Sequence, residues 1–160
     1  MPPSPAGGPG GLSDRTVRIL VTVAGHQVDE EAVRLACQVA RSRSNGSQLA
    51  RLYAVHVIEV TRALPLSAPV EPQVEHGERV LDDAERIAGE CDVEIETEMV
   101  QARDTGPAIV GEAEDWQADA IVMGLPYKRR FGDFYLGKTA PYVLKHASCR
   151  VILFRERLDA

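Results

Sequence analysis

At 160 residues, with 44% apolar residues and a net charge of −6, the chain is long enough for one domain with a buried core and too acidic for a general nucleic-acid binder. No apolar run approaches the length of a membrane span, and the N-terminal residues lack the apolar core of a secretory leader. Cys37, Cys91 and Cys149 are far apart and in no metal-ligand spacing, so they read as small buried hydrophobes in a reducing cytoplasm.

Residues 1–15 are rich in Pro, Gly and Ser and read as a disordered tail, which leaves 16–156 as the domain. Val17-Arg18-Ile19-Leu20-Val21-Thr22-Val23 is a β-branched, nearly continuous apolar run, the pattern of a strand covered on both faces. Ala24-Gly25-His26 ends it in a turn. Asp29 is placed to cap the following helix, whose stripe is Ala32, Val33, Leu35, Ala36, Val39 and Ala40. Asn45-Gly46 signals a turn. A second apolar strand spans 49–57, and a Pro-punctuated crossing follows through Pro65, Pro69 and Pro72. Val80, Leu81, Ala84, Ile87, Ala88 and Cys91 carry helical spacing. Residues 93–100 then alternate apolar side chains with Glu94, Glu96 and Glu98, as a half-exposed strand at a sheet edge does.

Pro107 suits the first turn of a third helix that turns Ile109, Val110, Ala113 and Trp116 inward. Ala120-Ile121-Val122-Met123 reads as a fourth strand. The last helix starts close after Gly137, because Pro141 fits only its first turn, and Val151-Ile152-Leu153-Phe154 closes the chain as a fifth strand. Strands alternating with helices predict an α/β fold, a single doubly wound five-stranded parallel sheet flanked by helices, flavodoxin/Rossmann-like. In a flavodoxin-like order, the ligand crevice is expected between the first and fourth strands, with Ala24 and Gly124 as neighbours across it.

That crevice is where the chemistry gathers. Gly124 ends a buried strand, residues 125–135 form a loop carrying Lys128, Arg129 and Arg130, and Gly137-Lys138-Thr139 opens a helix. A helix start leaves backbone N–H groups without partners, and its dipole favours an anion. Gly132 to Thr139 also satisfies the P-loop pattern when counted literally, but the basic loop stands where that motif needs a strand, so the match reads as coincidence. His26 and His56 end strands near the crevice and are candidate ligand contacts; His76 and His146 read as surface residues. No arrangement of nucleophile and base stands out, so the chain is read as a non-enzyme.

The segments Ile19-Leu20-Val21-Thr22-Val23-Ala24-Gly25, Val55-His56-Val57, Ile121-Val122-Met123-Gly124 and Gly137 with Val143-Leu144-Lys145-His146-Ala147-Ser148-Cys149-Arg150-Val151 resemble the universal stress protein family. The resemblance runs over 17–154 and implies a cytoplasmic regulatory domain that dimerises, here through the C-terminal edge strand. The family's nucleotide-binding members carry Gly-x-x-Gly, about nine residues, then Gly-Ser or Gly-Thr, and Gly124 and Gly137 stand at the matching separation. Three positions depart from the pattern: the second glycine is Tyr127, Lys138 follows Gly137, and the Asp that ends the first strand in binding members is Ala24. Losing that charged hydrogen bond costs about 1.5–3 kcal/mol, which is roughly ten- to a hundredfold in affinity. The loop from Gly124 to Gly132, with Pro141-Tyr142-Val143-Leu144-Lys145 after it, is similar to stress-protein modules associated with amino-acid permeases, which implies a transporter or another protein as a partner.

Three functions follow as expectations. In the first, the crevice binds ATP or another adenine nucleotide. Thr22 and Ala24 then close the first strand over it, Val57 and Met123 line the base, and Gly124 lines the ribose. Lys128, Arg130, Gly137, Lys138 and Thr139 take the phosphates. In the second the site is vestigial and the domain works by protein contact; in the third it is a weak nucleotide hydrolase.

Overall fold

A computed structural model describes residues 16–44 and 49–158. The tail expected over 1–15 and the Asn45-Gly46 turn lie outside the described residues. In chain order the elements are β1 (Val17–Thr22), α1 (Val28–Arg43), β2 (Ala50–Glu59), α2 (Glu71–Glu90), β3 (Glu94–Ala102) and α3 (Thr105–Trp116). They continue with β4 (Ala120–Leu125), β5 (Arg129–Arg130), β6 (Asp133–Phe134), α4 (Thr139–His146) and β7 (Arg150–Arg155). Five strands form one parallel sheet in the order β3-β2-β1-β4-β7.

The doubly wound parallel sheet is the expected fold class, but the strand order is not flavodoxin-like. A flavodoxin-like order would put β3 beside β1 on the side that β4 occupies here. Instead β3 lies outside β2, in the order of the Rossmann half-sheet, because its acidic face suits an edge. The winding still reverses at β1, so β1 and β4 are neighbours as expected, with Thr22 opposite Met123.

The alternation of side chains along β1 divides the core. Ile19 and Val21 face α1 and α2, in one cluster with Val33, Cys37, Leu81 and Ile87. Leu20 faces α3 and α4, in a second cluster with Ile121, Ile109 and Val143. Both faces of the sheet are therefore covered, which is why β1 needs apolar residues at successive positions. Among the described residues no helix is long and apolar enough to cross a membrane.

Three local expectations are corrected. The second helix begins at Glu71, with Pro72 in its first turn, more than two turns before the apolar stripe that marks it in the sequence. Its early residues show no stripe because Gly77 does the packing: a Cβ there would stand 2.8 Å from His56 Cδ2 and 2.9 Å from Met99 Cε. Asp29 does not cap α1; Gln27 occupies the cap without a side-chain bond, and Asp29 reaches back to the turn before the helix. Of the cysteines only Cys37 is buried, and Cys91 and Cys149 are half-buried. All three are free thiols, and burial first, then a hydrogen bond with Cys91, pushes the Cys37 thiol up to about 12.

Candidate functional site

Where β1 ends, the chain has to turn away from a packed sheet, and the backbone groups freed there need partners. Gly25 takes φ +93°, a conformation that favours glycine. The Asp29 carboxylate accepts the N–H of Ala24 at 2.9 Å and of Gly25 at 2.6 Å, clasping the turn. Burial raises the pKa of Asp29, and these two N–H bonds work in the opposite sense. On the other side His56, 6% exposed, donates from Nδ1 to the Val23 carbonyl at 2.8 Å. The rim of the sheet is thereby held rigid beside the crevice.

A cleft of about 290 Å³ opens over the carboxyl ends of β1, β2 and β4. Thr22, Val55, Val57 and Met123 lie at its base with Ile109 of α3, and Gly137 to Ala140 bring the start of α4 to its far end. Leu125, Pro126, Lys128, Phe134 and Tyr135 bring the loop after β4 to it as well. That loop is a small antiparallel hairpin of β5 and β6, closed by Phe131 and Gly132 at φ +53° and +83°. Positive φ at both turn residues matches the twist of a two-residue hairpin. Phe in place of the usual Asn is why the sequence does not announce it. Tyr127 stacks on Phe134, with ring centroids 5.4 Å apart, and the Arg155 guanidinium lies 5.2 Å from the Tyr127 ring.

Of the residues singled out in the sequence, Thr22, Ala24, Val57, Met123, Lys128, Gly137, Lys138 and Thr139 line this cleft. Gly124 and Arg130 do not. The missing side chain of Gly124 points at α1, where a Cβ would meet Val28 Cγ2 at 3.0 Å and Ala32 Cβ at 3.1 Å, so its smallness serves helix–sheet packing. Arg130 turns away to lie over the rings of Phe131 and Tyr135, at 5.4 and 5.2 Å. His26 lines the cleft, whereas His56 is consumed inside the fold. His76 and His146 are exposed, as expected; the His76 ring meets that of His56 edge-on with centroids 5.9 Å apart, and the His146 ring lies 4.2 Å from that of Tyr142.

Thr105 carries no signal in the sequence, yet it lines the cleft at the start of α3. Its N–H and hydroxyl donate to Glu59 Oε1 at 3.1 and 2.8 Å, a pairing across 46 positions that no local pattern marks. Lys138 Nζ stands 3.6 Å from Asp104 Oδ1, a surface pair of little energy that links the starts of α3 and α4. Lys128, Lys138 and the start of α4 thus gather at one end of the cleft, where Glu59 and Asp104 already answer Thr105 and Lys138, while its base is apolar. The departure at Tyr127 leaves the loop backbone with no N–H to offer a phosphate there. Pro126 has no N–H, and the Tyr127 N–H is already donated to Glu156 Oε1 at 2.7 Å. Gly132 sits at the hairpin tip, with β6 between it and α4, so Gly132 to Thr139 is not a P-loop. Among the described residues no group of three His, Cys, Asp or Glu side chains is placed to hold a metal ion.

A family model, the universal stress protein family, matches residues 16–155. A curated relative, a universal stress protein of Methanocaldococcus jannaschii, is 30% identical over 145 residues, covering 87% of this chain and 82% of its own. A solved universal stress protein from Archaeoglobus fulgidus superposes with a TM-score of 0.69 at 21% identity, over 87% of this chain and 98% of that one. A solved complex of the universal stress protein from Archaeoglobus fulgidus with dAMP gives a TM-score of 0.65 at 22% identity, over 87% and 97%.

Proposed function

This chain belongs to the universal stress protein family, and from that premise we propose that it is a cytoplasmic regulatory domain whose cleft takes an adenine nucleotide without turning it over. The observation that carries the reading is the polarity of the cleft. An apolar base at Val57 and Met123 suits a purine, and the opposite end holds Lys128, Lys138 and the start of α4 for phosphates. The dAMP complex of the Archaeoglobus fulgidus protein supports the choice of an adenine nucleotide. Side-chain cations stand in for the glycine-loop amides, because the Tyr127 N–H is committed to Glu156.

The test is direct. Purified protein is heat-denatured and the supernatant run by mass spectrometry for released nucleotides, with titration of ATP, AMP and cyclic nucleotides alongside. A stoichiometric adenine nucleotide, or saturable binding, is the expected result. An empty protein with no affinity below about millimolar, that is about −4 kcal/mol, retires the reading.

A second reading has its own support. The Ala24 side chain offers no acceptor to a ribose, and one oxygen of the Asp29 carboxylate beside it is committed to two backbone amides. If the titrations are blank, the domain works by protein contact, with a transporter or another stress-type domain as the class of partner. A homodimer belongs to either reading. β7 is an outer strand of the sheet, and Val151 to Phe154 along it are only half-buried, an apolar edge that pairing with a second copy would cover. Sedimentation showing only monomer at micromolar concentration removes the dimer.

A further inference from the structure

The hairpin has two sides. Lys128, Phe134 and Tyr135 face the cleft, but Arg129, Arg130 and Phe131 do not line it. Phe131, at the apex, is 93% exposed, the most exposed large apolar side chain among the described residues. It also adopts φ +53°, a conformation that a bulky residue occupies only at a cost. The neighbouring Gly132 has open space around its Cβ position, so the tip stands clear of the rest of the chain. At this exposure the ring gains no burial to offset the strain of its turn position. The guanidinium of Arg130 lies over the Phe131 ring and the Tyr135 ring, which holds a cation and an apolar apex side by side.

We propose that this tip is a membrane-contact element for anionic phospholipid. Phe131 enters the boundary between headgroups and acyl chains, and Arg129 and Arg130 meet the lipid phosphates. Charge complementarity supports the assignment. The segment 126–137 carries Lys128, Arg129 and Arg130 against the single acid Asp133, in a chain whose net charge is −6. Salt screening confines each charge to about 8 Å, so the tip presents its own field and not that of the acidic body. Area separates a bilayer from a protein partner. A stable protein interface buries about 800 Å² on each side, far more than a two-residue apex offers, whereas lipid closes around a narrow wedge.

The experiment is co-sedimentation of the full chain with phosphatidylcholine vesicles, with and without phosphatidylglycerol. Binding to the anionic vesicles alone, weakening as salt is raised, is expected. An Arg129→Ala, Arg130→Ala variant should bind roughly thirtyfold more weakly, at about fivefold per cation. Phe131→Ser should weaken binding by about tenfold. A Phe131→Trp variant gives a readout that does not depend on lost binding: its emission, less the Trp116 signal of the wild type, should shift to the blue on anionic vesicles. No sedimentation with anionic vesicles overturns the proposal, as does equal binding to neutral ones, or wild-type binding by the variants. An unshifted emission from vesicle-bound Phe131→Trp protein overturns the insertion of the apex. Retention on single-stranded nucleic acid or on an acidic protein, with none on vesicles, would also overturn it and reassign the tip.

Discussion

The centre of the sheet and the hairpin after β4 border the same cleft and are built on opposite principles. Ile19, Leu20 and Val21 of β1 and Ile121 and Val122 of β4 are all at 0% exposure, each packed between helices. The hairpin has two strands of two residues, held by the Tyr127–Phe134 stack and by cations over rings, with its residues 128–136 exposed. The first region supplies stability and a fixed base; the second supplies charge and aromatic surface. A mutation should therefore report on stability at one and on binding at the other.

The largest expected effect is at the centre. Ile121→Ala removes a fully buried side chain packed beneath α3 and α4 and should cost about 2–5 kcal/mol, read by chemical denaturation. A loss below about 1 kcal/mol would mean that the centre is no better packed than the hairpin. Next is Tyr53→Phe, on the same face. The Tyr53 hydroxyl donates to Glu112 Oε2 at 2.6 Å, and its loss should cost about 1.5–3 kcal/mol at neutral pH. Burial, and then Glu112, raise the Tyr53 pKa above its ordinary value of about 10. The unfolded chain thus ionises first, so this stabilisation is complete below about pH 10 and is lost as pH rises toward the raised value. The gap between wild type and Tyr53→Phe should narrow in that alkaline window, and a constant gap would refute the linkage.

At the hairpin the balance reverses. Lys128→Ala should weaken nucleotide binding by about tenfold and leave the denaturation midpoint unchanged. A shift in midpoint with unaltered affinity would make Lys128 a structural residue instead. The smallest effect is on stability in Phe131→Ser, within about 0.5 kcal/mol by the same denaturation experiment, because the apex ring packs on nothing but Arg130. A larger loss would show that the hairpin folds as part of the sheet core.

The same division explains what was legible beforehand. β1 and β4 could be read as continuous apolar runs, because a strand covered on both faces has no polar side. β3 could be read from Glu94, Glu96 and Glu98, and the start of α4 from Gly137 and Pro141. The first two turns of α2 could not, since close approach at Gly77 leaves no stripe. Nor could the hairpin, whose turn carries Phe where Asn is the usual signal. Eight of the candidate site residues fall together because strand ends and a helix start are local features, while the outward turn of Arg130 depends on which rings lie beside it.

The order of residues alone determined the α/β class, the alternation of elements, and the placing of a helix start beside a basic loop, since each follows from short-range periodicity and turn chemistry. Only the tertiary structure decided that the edge strand β3 takes β2 as its neighbour, and that Glu59 reaches Thr105. It also decided that Glu156 takes the Tyr127 N–H, which would otherwise have been open to a phosphate. Those outcomes depend on which polar groups the packed elements bring together across tens of residues. No local pattern encodes that choice, because it is settled by the joint packing of both faces of the sheet.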